Sequence, residues 1–550
     1  MRTMLAAVVR LASSPGQRGG QPVRRHIVPG SGGFPKLLAC AGALLACATP
    51  AGAETKVLRV VPQNDIVLLD PVFGTASISN IAGMMIYESL FSWDNTLQSK
   101  PQMVESWEVS ADGLTWRFTL RPGLKFHDGQ KVTTADVVPS MKRWMALDGG
   151  GRRLADAMAA MEQVDDATFK IVLKRPFPSM LATLAAAPSR FAAIMRAKDL
   201  TDPGKPVTTA IGSGPFRYVA SERVSGAKVV YERNPDYVPR KEPPDGTAGG
   251  RVAKVDRIEW LIMPDAATAA AALQSGEVDL VERPALDLMP ILANNKQITI
   301  RKLSGIGDQT MLRANNLLPP FSDVRARQAL NYIIDQPDEM QAAFGDPANW
   351  SRCNAFFVCG GPYGTSAGAE GFHQDFAKAR QLLAEAGYKG ERLVFIGSHD
   401  NANGIMSEVA ADAMARAGLN IDMVWSDWAT VVGRALKQDP MASGGWNLRV
   451  TTSPGPATAN PATNVGTDMS CSRRNFSGWP CDEEAERLRA DFIDADEQAR
   501  PAILERLHRR LAEVAPYRIL GQSNPPAAFR SNVSGVLPSP TMVYWNIDKN

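Results

Sequence analysis

Histidine, cysteine and long apolar runs are scarce in this chain, and each scarcity closes off a class of function. Only 5 His occur among 550 residues, and none stands in an H-E-x-x-H pattern, which excludes a zinc-peptidase helix. No G-x-x-x-x-G-K-[ST] loop is present, so the chain carries no phosphate cradle of the ATPase kind. No apolar stretch reaches the about 20 residues that a membrane-crossing helix needs. No short-period internal repeat appears, which argues against a solenoid or propeller. Acidic residues are missing from the first 53 positions, where Arg2, Arg10, Arg18, Arg24, Arg25 and Lys36 stand alone.

That acid-free stretch has a purpose of its own. Its basic start is followed by an apolar run from Leu37 to Cys47 and by Ala51-Gly52-Ala53. A basic region, a short apolar core and a small-residue exit describe a secretory signal peptide, expected over residues 1–53. Leu44-Leu45-Ala46-Cys47 also has the form of a lipobox, which leaves two expectations open, cleavage at Ala53 or lipid anchoring at Cys47. The expected destination is the periplasm. Without this leader the 60 basic residues fall to 54 against 57 acids, a formal net charge of −3. No basic run survives to follow a phosphate backbone, so nucleic acid is excluded as a partner.

The 6 cysteines reduce to four outside the leader: Cys353, Cys359, Cys471 and Cys481. An even number in an oxidising compartment points to disulfides. The near pairs 353–359 and 471–481 are the simplest connectivity of the three possible. Neither pair has C-x-x-C spacing, so a metal site is not expected, and no cofactor is.

Strand and helix signals alternate along the remaining chain. Leu114, Trp116, Phe118 and Leu120 alternate with Thr115, Arg117 and Thr119, the period of a half-buried strand. Asp112-Gly113 and Pro122-Gly123 bracket it as turns. Strands are also expected at 57–61, 168–173, 228–232, 255–262, 393–396 and 421–424. Helices are expected at 78–90, after Thr133 or Thr134, at 266–273, after the caps Asp323 and Asp375, and at 502–514. Mixed elements throughout mean an α/β protein.

Between Val104 and Val138 the text becomes specific: Glu105-Ser106-Trp107, Ala111-Asp112-Gly113-Leu114-Thr115-Trp116, Arg121-Pro122-Gly123-Leu124-Lys125-Phe126-His127-Asp128-Gly129 and Thr133-Thr134-Ala135-Asp136-Val137. Further blocks are Gly212-Ser213-Gly214-Pro215-Phe216, Asn234-Pro235-Asp236-Tyr237, Ser275-Gly276-Glu277-Val278-Asp279-Leu280, Phe321-Ser322-Asp323-Val324-Arg325, Gly445-Trp446 and Val543-Tyr544-Trp545. In this order and spacing they resemble the family 5 extracellular solute-binding proteins, the oligopeptide, dipeptide and nickel receptors of ABC importers.

The resemblance implies an architecture like that of type II periplasmic binding proteins, with two lobes, an inserted domain and a ligand cleft between the lobes. Residues 54–81, 208–312 and 517–550 would form a discontinuous first lobe, 82–207 a β-rich insertion, and 313–516 the second lobe. It also implies a monomeric receptor that delivers a small solute to a separate ABC permease and its ATPase. In the peptide-binding branch an Asp after Gly-Trp pairs with the ligand's amino group. Here Arg449 stands in its place, which predicts an anionic or otherwise non-peptide solute, since guanidinium prefers carboxylate. Trp446, Asn447, Arg449, Thr451, Asn315, Asn316, Trp428 and Tyr363 are the expected ligand contacts, and Gly212, Gly214 and Pro215 the expected hinge.

Two other classes compete. Gly364-Thr365-Ser366-Ala367-Gly368 fits the G-x-S-x-G pattern of a secreted serine hydrolase, whose elbow needs a strand before it and a helix directly after. An envelope chaperone on the same fold is the third. The expected protein is a receptor and not an enzyme.

Overall fold

A computed structural model of the chain describes residues 55–550, apart from residue 75 and residues 186–189, 203, 400–401 and 472–476. The expected signal peptide, residues 1–53, and the expected anchor Cys47 lie outside the described residues. The described part forms one compact unit from Thr55 to Asn550.

Two large sheets organise it. The first has seven strands in the order Phe216–Tyr218, Lys228–Arg233, Arg257–Leu261, Val57–Val61, Leu280–Val281, Ala527–Arg530, Ile298–Arg301. Its centre is parallel, with Val57–Val61 beside both Arg257–Leu261 and Leu280–Val281. The alternation that predicts a strand over 255–262 is realised as Ile258 and Trp260, both fully buried. The second sheet has six strands in the order Trp350–Ser351, Arg518–Ser523, Asp308–Ala314, Leu448–Ser453, Arg392–Gly397, Asn420–Trp425. Helices Val324–Ile333, Gln336–Phe344, Phe376–Glu385 and Ala402–Arg416 enclose its second core, around Leu330, Met406 and Leu448.

Between the first strand and the rest of its sheet comes the insertion, an antiparallel sheet ordered Val104–Val109, Thr115–Leu120, Thr168–Leu173, Met158–Gln163. Phe118 lies in its middle, with Phe169 stacked at 5.1 Å and Phe91 edge-on at 6.0 Å. Helix Thr134–Leu147 packs on it; of the two expected caps Thr133 is the one, and it forms a capping box with Asp136. The helix expected over 78–90 ends at Ile86 instead. Glu88–Ser89 pairs with Ala193–Ile194, and Phe91–Trp93 with Ser99–Pro101, so strand pairing takes the last residues.

Two boundaries move. Residues 308–312 and 518–523, expected in the first lobe, supply strands Asp308–Ala314 and Arg518–Ser523 to the second sheet. The reason is hydrogen bonding: these two strands pair with each other and Asp308–Ala314 also with Leu448–Ser453. The chain therefore passes between sheets at 302–307 and 524–526. Both near cysteine pairs, Cys353–Cys359 and Cys471–Cys481, are bonded.

Candidate functional site

The two crossings lie side by side. Asn524 donates its side-chain amide to the Ser304 carbonyl, and its backbone N–H to Asn349 O at 2.7 Å. At Gly307 a Cβ would come within 2.1 Å of the Ser523 carbonyl oxygen, so only glycine lets the crossings touch. Arg283, just past strand Leu280–Val281, reaches over to Asp308 of the second sheet at 3.0 Å.

A cavity of about 100 Å³ opens against these crossings. Its walls come from both lobes: Gln63, Asn80 and Glu282 on one side, Asp308, Pro454 and Asn524 on the other. Trp93 and Pro456 also line it, and both continue into a second chamber of about 60 Å³ with Leu97, Tyr363 and Asn460. Leu303, Ser304 and Ile306 are shared with a more open groove that reaches Gly360. The three spaces share wall residues and together form the candidate cleft. Several wall residues follow the ends of strands, where an α/β fold leaves its crevice: Glu282 follows Leu280–Val281, and Pro454 follows Leu448–Ser453.

Glu282 is the buried acid of this cleft, 6% exposed. Its carboxylate accepts from the Gln63 backbone N–H at 2.8 Å and from the Tyr544 hydroxyl. Burial pushes its carboxyl pKa up, against those two hydrogen bonds and Arg283. Asn80 on helix Ser77–Ile86 is also 6% exposed, and its Oδ1 has no hydrogen-bond partner. No sequence motif marks these residues. The available signal was position: a carboxylate immediately after an all-apolar strand end.

The eight residues expected from the sequence divide. Tyr363 lines the second chamber and meets Phe492 edge-on at 5.0 Å. The other seven do not line these chambers. Trp446 is fully buried in a cluster with Val394, Ile396 and Trp479, and Trp428 packs against that cluster. Asn447 knits strands together: Val394 N–H donates to its Oδ1 at 2.9 Å, and its Nδ2 donates to Pro319 O at 3.1 Å. Asn315 Nδ2 donates to Trp446 O at 3.0 Å, and Asn316 Nδ2 to Gly478 O at 2.9 Å. Thr451 is buried in register with Met311.

Arg449 sits opposite Arg313 on the neighbouring strand, both buried. Burial lowers the Arg449 guanidinium to about 10. Burial and then the charge of Arg449 take Arg313 to about 9. Arg313 donates to Ser477 O at 2.9 Å and lies 5.2 Å over the Tyr517 ring. The pair is therefore held under the turn at Ser477 and Gly478, and the cavity wall nearest along this chain segment is Pro454, five residues past Arg449.

The residues expected at the hinge pack closely against helix Ser77–Ile86. A Cβ on Gly212 would meet the Ile86 carbonyl oxygen at 1.9 Å, and Gly214 N–H donates to that oxygen at 2.8 Å. With Pro215 and the strand Phe216–Tyr218 that follows, these glycines dock the end of the insertion under helix Ser77–Ile86. His127 Nδ1 and Nε2 face Gly212 N and Gly214 O at 3.3 and 3.1 Å. Burial holds its pKa down, at about 4, and the ring stays neutral.

The G-x-S-x-G segment has no elbow geometry. Gly364 to Gly368 runs through coil and turn, no strand leads into Ser366, and the next helix starts only at Phe376. Among the described residues no group of three or more His, Cys, Asp or Glu is arranged for a metal, and no helix is long and apolar enough to cross a membrane.

Comparison with known proteins identifies the family and the fold. Residues 98–473 match the family described as bacterial extracellular solute-binding proteins, family 5 Middle. The probable peptide ABC transporter periplasmic-binding protein y4tO of Sinorhizobium fredii is 37% identical over 509 residues, covering 91% of this chain and 95% of that protein. The glutathione-binding protein GsiB of Pectobacterium atrosepticum is 28% identical over 382 residues, 67% of this chain and 70% of its own. Among solved structures, AgaA from A. tumefaciens R10 with agropinic acid superposes with TM-score 0.75 at 22% identity, covering 90% of this chain and 99% of that one. DppA from Helicobacter pylori with a bound peptide gives 0.74 at 20% identity, over 90% and 98%. At such identities these two likenesses concern the fold.

Proposed function

Because the chain belongs to the bacterial extracellular solute-binding proteins of family 5, we propose that it works by capture: its lobes close on a small solute in the cleft and present it to a separate permease. The observation that carries this reading is the cavity at the crossings, whose walls are drawn from both lobes. A ligand there touches both sheets at once and so binds the closed form better than the open one. That difference in affinity is what drives closure. No bond need be made or broken.

A peptide is the proposed class of solute, because the relative from Sinorhizobium fredii, named for peptide transport, is similar over nearly the whole chain. The chain is proposed to act as an exported monomer in the periplasm, carried there by residues 1–53, beside a permease and an ATPase on other chains. Arg449 is assigned to the interior of the second lobe rather than to the ligand, and the anionic-solute expectation that rested on it is not carried forward.

The test is recovery of the solute. Protein purified from its native envelope is denatured, the released small molecules are identified by mass spectrometry, and each is returned to refolded protein in a calorimeter. One compound is expected to bind with 1:1 stoichiometry. Turnover of an ester or amide that disappears in Ser366→Ala would contradict the reading.

A further inference from the structure

The cavity at the crossings has a chemical bias that the capture reading does not use. Two carboxylates face it, Glu282 from the first lobe and Asp308 from the second, against one guanidinium, Arg283, which Asp308 already holds at 3.0 Å. Glu282 accepts one hydrogen bond at each oxygen, from Gln63 N–H and from the Tyr544 hydroxyl. A carboxylate has room for about four, so acceptor capacity remains. Beside it Asn80, 6% exposed, carries an Oδ1 with no partner in the structure. A buried acceptor without a donor costs about 1–3 kcal/mol, a penalty that a ligand N–H removes.

We propose that this chamber receives the protonated amine of the solute, held by the carboxylates of Glu282 and Asp308 and the side-chain carbonyl of Asn80. The inference rests on the capture reading and names the chemistry of one end of its ligand. An ammonium brings three donors and a single charge, which matches three acceptors on two lobes. Glu282 and Asn80 lie on one lobe and Asp308 on the other, so the amine bridges the cleft and favours closure. Burial, which raises the Glu282 carboxyl pKa, is offset when a cation enters. The arrangement also accounts for Arg449: where the resembling peptide receptors have an acid after Gly-Trp, this chain has a buried arginine. Its acids stand elsewhere: Asp308 begins the neighbouring strand Asp308–Ala314, whose Arg313 lies opposite Arg449, and Glu282 follows strand Leu280–Val281 of the first sheet.

The test uses the full chain without its leader and a panel of amino acids, dipeptides and tripeptides, each paired with its N-acetylated form, plus sugars and dicarboxylates. Thermal shift selects binders and calorimetry measures them. Free amines are expected to bind, with acetylation weakening affinity at least 100-fold. Glu282→Gln, which keeps an acceptor for Gln63 N–H, is expected to weaken the same amines 10- to 100-fold. Asn80→Asp, which adds a charged acceptor, is expected to tighten them. Equal binding of acetylated and free forms, or stabilisation only by amine-free solutes, would overturn the amine subsite and leave capture standing. Stabilisation by no solute of any class would take both down.

Discussion

Asp70 and Arg143, the latter on the insertion's helix Thr134–Leu147, meet at 2.6 Å, with side chains 0% and 2% exposed. Asp70 also accepts from the backbone N–H groups of Val72 and Val207 at 2.9 and 2.8 Å, so one carboxylate fixes the loop before helix Ser77–Ile86. Removing the acid strands a buried guanidinium, which typically costs about 3–5 kcal/mol. Asp70→Asn is expected to lose that much in urea unfolding. Glu339 presents the opposite case, a fully buried carboxyl with neither oxygen hydrogen-bonded. Burial, with Asp338 adding to it, pushes its pKa well above the ordinary value, against a smaller opposing effect from Arg518. In the folded chain it stays protonated, whereas the unfolded chain releases this proton above about pH 4.3. The folded state therefore binds more protons there, and stability falls as pH rises from about 4.3 toward the folded pKa, by at most about 1.4 kcal/mol per pH unit. Glu339→Gln is expected to raise the melting temperature at pH 7 and to flatten its decline as pH rises above about 4.3. An unchanged pH profile would mean that this group does not titrate as described.

At the level of elements, what the sequence displayed was periodicity and turn chemistry. Phe118 and Leu120 read as inward on their strand because every second neighbour is polar, and the structure buries both. The caps Asp323 and Asp375 were equally plain: each side chain accepts from a backbone N–H of its helix's first turn. The site was less legible because it belongs to no element. Asn80, Glu282, Asp308 and Asn524 come from four distant segments and become neighbours through the crossings. Trp446 and Asn447 mislead because a tryptophan beside a polar residue suits a binding wall and a core equally well. Here Trp446 packs with Val394, Ile396 and Trp479, and the Asn447 amide is taken up by Val394 N–H and Pro319 O. Trp446→Ala, which removes a fully buried indole, is expected to cost about 3–5 kcal/mol of stability. Affinity at folded concentration should change little. Gly307→Ala tests the crossings themselves. Its Cβ would land 2.1 Å from Ser523 O, so the two segments must separate. A lower melting temperature together with weaker solute binding is expected, measured against the same substitution at Gly149, where nothing lies within 4 Å.

Across the whole molecule the lobes also meet away from the crossings. Ser179 of the insertion donates to Ile493 O at 2.8 Å and accepts from Arg500 at 3.0 Å, while Arg175 pairs with Asp494. Phe492, Ile493 and Ala462 are buried in the same cluster as the insertion's own core. This contact joins the insertion to the second lobe through a shared apolar cluster. The Arg175 pair is largely exposed and worth little, but the Ser179 bonds are buried. Ser179→Ala is expected to release solute faster, raising Kd about three- to thirtyfold through the dissociation rate in stopped-flow measurements. Closure is the claim on which all of this turns. Small-angle scattering of the leaderless chain, titrated with the solute recovered from the native protein, tests it most directly. The account predicts a radius of gyration that falls in step with occupancy, to a plateau at one solute per chain. A solute that saturates the protein while the radius stays constant would contradict it.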